Sequence, residues 1–176
     1  ISTGLVGSEM CIRDRAGAGF DDTAISDAPM TVIGVQKTPM VILVTDIVDF
    51  SGLSERLSET DLANVLNVWY DQCRVIMNET GGTIDKFMGD GMFGYWKVTT
   101  PEARGQALEA ARRIAAGLET HGQVLQCGVG LHIGEAAAGA VTRGERTVLG
   151  DAVNIAFRIE SLTRGLGPVS YTHLTL

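Results

Sequence analysis

An α+β fold, a mostly antiparallel sheet covered by helices, is predicted by three observations. A short apolar run rich in branched residues, Met40 to Thr45, reads as a buried strand closed by Asp46. Lys86 to Trp96 reads as a hairpin, two strand-like runs joined at Gly89-Asp90-Gly91. Two long stretches, one before and one after that hairpin, carry apolar residues at helical spacing.

The elements follow in order. Ala16 to Thr38 is rich in Gly, Asp, Thr and Ser and reads as a linker. After the first strand, Ser51 to Leu57 is a short turn or helical start. A helix then spans about Glu59 to Glu79, with Thr60 or Asp61 as its cap. Leu62, Val65, Leu66, Trp69, Cys73, Ile76 and Met77 form its core-facing stripe, and Gly81-Gly82 ends it. The Thr83–Val98 hairpin follows. Thr100-Pro101-Glu102 opens a second helix, which presents Ala107, Leu108, Ala111, Ile114, Ala115 and Leu118 and stops at Gly122. Val124 to Ile133 alternates as a strand, and Gly134 to Val141 reads as another strand after a turn. Asp151 to Leu162 repeats Val153, Ile155, Ala156, Ile159 and Leu162 as a helix does. A strand–helix–strand–strand–helix–strand core is the ferredoxin-like plan, with the helices expected on one face.

Composition narrows the function. The chain has 176 residues, 45% of them hydrophobic, enough for one core, and a net charge of −7 that disfavours a nucleic-acid surface. No apolar run is long enough to span a bilayer. Cys73 and Cys127 sit in apolar periodic segments without metal-ligand spacing, which fits a reducing, cytoplasmic compartment. His121, His132 and His173 are too scattered for a zinc site.

If the first strand neighbours the hairpin, Asp46 and Asp90 meet at one sheet edge. Two carboxylates held close repel unless a cation lies between them, and hard oxygen ligands favour Mg²⁺ or Mn²⁺. Each Asp also has an ordinary structural role open to it, as turn residue or helix cap. Asn154 and Arg158 stand four apart on one helical face, a pairing suited to a ribose–phosphate unit or to a solvated polar surface.

Together these motifs resemble the catalytic domain of class III nucleotidyl cyclases. The resemblance rests on Thr45-Asp46-Ile47-Val48-Asp49-Phe50-Ser51, on Lys86-x-x-Gly89-Asp90, on Gly130-Leu131-His132-Ile133-Gly134 with Gly139, and on Gly150-Asp151-x-Val153-Asn154-x-Ala156-x-Arg158-Ile159-Glu160-Ser161. It implies that Asp46 and Asp90, with the Ile47 carbonyl, hold two Mg²⁺ or Mn²⁺ ions. The backbone of Asp49, Phe50 and Ser51 would cradle the β- and γ-phosphates. Lys86 and Thr147 would select the base, Asn154 would orient the ribose, and Arg158 would stabilise the transition state. The family works as head-to-tail dimers, so one subunit would supply the carboxylates and its partner Lys86, Thr147, Asn154 and Arg158.

Base choice has a physical side. Lys86 has only donors, which fit adenine N1 and oppose the guanine N1–H, and the Thr147 hydroxyl can accept from adenine N6. ATP is therefore the expected nucleotide; guanylyl cyclases of the family carry an acid at the position of Lys86. Thr in place of Asp at 147 resembles the bicarbonate-responsive subclass, which implies bicarbonate as a regulator. Arg143 and Arg146 are further candidates for phosphate contact. The domain is expected to span residues 39–168 and to lack the family's C-terminal strands and helix. Residues 1–15 and 169–176 resemble translated sequencing-adapter sequence and stand outside the fold argument. The alternatives are a non-catalytic cyclase-like nucleotide-binding or dimerisation module and a guanylyl cyclase. A cyclic-dinucleotide synthase is disfavoured by the lack of an acidic Gly-Gly turn, and a P-loop phosphotransferase by the lack of its glycine-rich loop.

Overall fold

The first strand, β1 (Lys37–Ile47), is central: from Met40 to Val44 every side chain is at most 2% exposed. A run of branched and long apolar residues buried on both faces can only sit mid-sheet, because each such side chain gains about 1.5–3 kcal/mol by leaving water. The computed structural model describes residues 37–98, 100–120, 123–142, 145–166 and 171–173. Along this part of the chain follow α1 (Phe50–Arg56), α2 (Glu59–Glu79), β2 (Thr83–Met88), β3 (Gly91–Lys97), α3 (Glu102–Ala115), β4 (Leu118–Thr120), β5 (Gln123–Leu125), β6 (Cys127–Thr142), β7 (Glu145–Leu149), α4 (Asp151–Leu166) and β8 (Tyr171–His173). The main sheet runs β2-β3-β1-β6-β7, all antiparallel, with β8 added parallel to β6; β4 and β5 form a separate small hairpin. The architecture is α+β, with the expected strand–helix–strand–strand–helix–strand core.

Helices cover both faces of this sheet, not one. Val41 and Leu43 point toward α2 and α3, in a cluster with Trp69, Met77, Ala107 and Ile114. Met40, Ile42 and Val44 point the other way, toward Ala152 and Ala156 of α4. The reason lies in β6. A Cβ on Gly130 would stand 2.5 Å from both the Ala156 carbonyl oxygen and the Glu160 nitrogen, and one on Gly134 would stand 2.7 Å from Ala152 Cβ. The glycines on that face let α4 settle almost onto the strand backbone. Facing the strand at this close approach, α4 buries the small residues Ala152, Ala156 and Thr163 together with Glu160, while Ile155 and Leu162 are exposed. Of the expected apolar stripe of this helix, Ala156 is buried and Val153 packs against the core, whereas Ile155 and Leu162 face outward.

Other boundaries moved for local reasons. Ser58 caps α2, where Thr60 or Asp61 was expected; its hydroxyl accepts from the Asp61 amide (3.2 Å) and donates to the Asp61 carboxylate (2.7 Å). α3 ends before Gly117, whose φ of 84° is left-handed, so Leu118 opens β4 instead of extending the helix to Gly122. The two strands expected over Val124–Ile133 and Gly134–Val141 are mainly one continuous β6, preceded by the short β5.

Candidate active site

Asp46 is the last residue of β1 to pair with β3, opposite its first residue, Gly91, and Asp90 is in the β2–β3 turn next to it. The Ile47 N–H donates to the Asp90 carbonyl oxygen (3.3 Å), which ties the two segments together. Gly91 is small for a reason. A Cβ there would lie 3.2 Å from the Thr45 carbonyl and 3.4 Å from the Asp46 carboxylate, which thus leans over the residue after Asp90. The turn is held from α2: the Tyr70 hydroxyl donates to the Gly89 carbonyl (2.6 Å), and Tyr70, Trp69 and Phe87 pack ring to ring.

Beyond Ile47 the chain turns sharply. Val48 N–H donates to the Gln126 carbonyl (2.8 Å), and Asp49 takes a left-handed conformation at φ 57°. Asp tolerates this conformation better than most residues. Its carboxylate lies over Gly52, where a Cβ would come within 2.6 Å of it. α1 begins here, and its first bond runs from Leu53 N–H to the Asp49 carbonyl (3.0 Å). The N–H groups of Phe50 and Ser51 therefore precede the helical ladder. Asp46, Ile47, Val48, Asp49, Phe50, Ser51 and Asp90 line one cleft of about 320 Å³, with Glu160 of α4 at its side.

A second cluster joins the outer strands. The Asp85 carboxylate, 4% exposed, lies 3.4 Å from Lys86 Nζ and accepts a hydrogen bond from the Thr147 hydroxyl (3.1 Å). Lys86 and Thr147 are thus neighbours in space. Asn154 and Arg158 are exposed on α4 and do not line the carboxylate cleft. Arg143 lies outside the described residues.

A family model described as the adenylate and guanylate cyclase catalytic domain matches residues 34–172. The chain belongs to that family. An adenylate cyclase of Anabaena cylindrica is 30% identical over 143 residues, 73% of this chain and 28% of the relative. Adenylate cyclase 1 of Rhizobium meliloti is 29% identical over 144 residues, 74% of this chain and 22% of its own length. The chain therefore spans about a quarter of these two cyclases. Among solved structures, a bacterial light-regulated adenylyl cyclase aligns with a TM-score of 0.64 at 28% identity, covering 77% of this chain and 43% of that one.

The donor set of this cyclase domain suits a hard divalent cation: two carboxylates and a backbone carbonyl, all oxygen, bordering one cleft. Among the described residues no group of three or more His, Cys, Asp or Glu side chains gathers as a metal cage. A bound ion would need further oxygens from water or phosphate, as Mg²⁺ generally does. Sequence reasoning assigned nothing to Glu160 or Asp85. Glu160 was visible only as part of a motif. Asp85 had a subtler mark, the three-residue spacing of Ile84 and Phe87, which a regular strand could not put on one face.

Proposed function

We propose that this chain is the catalytic domain of an adenylyl cyclase, converting ATP to 3′,5′-cyclic AMP and pyrophosphate. The observation that carries the reading is the meeting of Asp46 and Asp90 at one sheet edge, in a cleft shared with Asp49–Ser51. Asp46, Asp90 and the Ile47 carbonyl would hold two Mg²⁺ or Mn²⁺ ions. Bound there, the ions would supply Lewis acidity to the ribose 3′-hydroxyl and counter-charge to the triphosphate. The backbone N–H groups of Asp49, Phe50 and Ser51 receive the β- and γ-phosphates. Lys86 donates to adenine N1 and Thr147 accepts from N6. Asn154 orients the ribose, and Arg158 offsets charge growing on the α-phosphate oxygens during in-line attack. No side chain of the cleft is required as general base; a solvent or substrate oxygen takes the proton.

The separation of the parts supports a head-to-tail homodimer. Asn154 and Arg158 stand outside the chain's own cleft, so a second copy brings them to it. Exposed Leu149, Ile155 and Leu162, on β7 and α4, supply apolar surface for that contact. The site then operates in the cytoplasm, where ATP is held. Bicarbonate regulation rests on Thr147 alone and is read by titrating bicarbonate into the active enzyme. The test of the main reading is cyclic AMP formation from Mn²⁺-ATP, with GTP as control and Asp46→Ala and Asp90→Ala alongside. ATP turnover that vanishes in both variants supports it. Turnover of GTP alone favours a guanylyl cyclase, and none by a folded dimer leaves a binding or dimerisation module.

A further inference from the structure

The pairing of β2 with β3 slips at one point. Ile84 pairs with Gly94 and Lys86 with Phe93, leaving Asp85 as the extra residue of a bulge. Bulges re-aim a side chain, and this one does so visibly: Ile84 and Phe87 both pack against the core, while Asp85 turns to reach β7. β2 and β7 stand at opposite ends of the strand order, yet the 3.1 Å bond from the Thr147 hydroxyl to Asp85 shows that these two outer strands come together at this point. The same Oδ2 lies 3.4 Å from Lys86 Nζ.

We propose that Asp85 is a positioning residue that determines nucleotide specificity: it takes the only proton of the Thr147 hydroxyl and so leaves Thr147 able only to accept. The proposal rests on the reading that Lys86 and Thr147 meet the base. A threonine hydroxyl is ambivalent, donor or acceptor as its surroundings require. Undirected, it would donate to guanine O6 as readily as it accepts from adenine N6. Asp85 as a carboxylate has no proton to give, so the hydroxyl proton points to it and the lone pairs face outward. Lys86 holds three protons and is half exposed, so its pairing with Asp85 leaves donors for the base. The outcome is one donor and one acceptor side by side. Adenine, with N1 as acceptor and N6 as donor, matches both. Guanine mismatches both.

The experiment is equilibrium binding of non-hydrolysable ATP and GTP analogues, with Mn²⁺, to the full chain, run in parallel with cyclisation assays. In Asp85→Asn the side-chain amide can donate to Thr147 and free its proton. The adenine-to-guanine affinity ratio should fall about tenfold, the worth of one hydrogen bond. Thr147→Val should lower the ratio similarly, and Asp85→Asn should add nothing to it in the double variant. Where Asp85→Asn does not fold, Thr147→Val decides alone: an unchanged ratio overturns the proposal. It is also overturned if the ratio holds in folded Asp85→Asn, if both affinities fall in parallel as a merely structural defect would cause, or if the wild-type chain binds both nucleotides equally. Adenine-selective binding without turnover, sensitive to Asp85, would support this proposal while the cyclase reading fails. Turnover with an Asp85-insensitive ratio would do the reverse.

Discussion

Gly130→Ala is the perturbation whose magnitude the structure determines most tightly. The new Cβ would stand 2.5 Å from the Ala156 oxygen and 2.5 Å from the Glu160 nitrogen, 0.9 Å short of the 3.4 Å at which ordinary contact begins. Both obstacles are backbone of one helix, so no side chain can rotate aside, and α4 must retreat by nearly that distance. Retreat opens gaps along Ala152, Ala156 and Thr163, and a gap of 0.5–1 Å forfeits roughly a quarter to a half of each contact's dispersion energy. Overpacking of this kind costs about 1–3 kcal/mol, and the immovable partners place it at the upper end, about 3 kcal/mol. At about 2–4 °C per kcal/mol for a chain of this size, the melting temperature should fall by about 6–12 °C. Gly105→Ala is the matched control: an exposed α3 position with nothing within 4 Å of its Cβ, where alanine should stabilise by about 0.5–1 kcal/mol. Thermal and urea unfolding followed by circular dichroism reads both. Gly130→Ala as stable as the parent would refute the close packing of α4 on β6.

Other outcomes follow from the same contacts. Tyr70→Phe removes the bond that anchors the Gly89–Asp90 turn and should lower cyclisation about tenfold with less than about 1.5 kcal/mol lost in stability, measured by turnover and urea midpoint. Ser58→Ala removes the α2 cap and should cost about 1 kcal/mol in urea unfolding, with ATP selectivity untouched. Burial pushes the Cys73 thiol up to about 12 and the Cys127 thiol up to about 11, from an ordinary 9.0. Both folded values are raised, so their contribution to stability is full below pH 9 and is lost as pH climbs through 9 to about 12, where the unfolded chain sheds its thiol protons first. Thiol reagents at pH 8 should therefore modify neither Cys73 nor Cys127 until the domain unfolds; rapid labelling of either one in the native chain, mapped by peptide analysis, would contradict their burial.

What was legible in the sequence was whatever depends on local pattern. The branched run of β1, the α2 stripe and the Gly89-Asp90-Gly91 turn all formed where periodicity and turn chemistry put them. Their pairing brings Asp46 and Asp90 together because an antiparallel neighbour places the end of one strand beside the start of the next. What was not legible depends on partners distant in the chain. On α4 the pattern includes Ala156 but also Ile155 and Leu162, and it leaves out Ala152, because hydrophobicity favours the larger residues. The glycines of β6 reverse that choice, and they read in sequence merely as weak strand formers. Asp85 was passed over because its partner Thr147 lies 62 residues away on the opposite sheet edge, and no spacing rule links them. Glu160 reaches the cleft only once α4 has settled that closely on β6.

The central claim, a two-carboxylate cleft completed by groups from a second copy, is tested most directly by complementation. Asp46→Ala and Arg158→Ala chains, each inactive alone, are mixed and assayed for cyclic AMP from Mn²⁺-ATP. Random head-to-tail pairing leaves half the dimers mixed, each with one intact site of two, so activity should return to about a quarter of the parent's. Silence from the mixture beside an active parent would mean that Asp46 and Arg158 do not meet across a dimer, and the account of the site would fail.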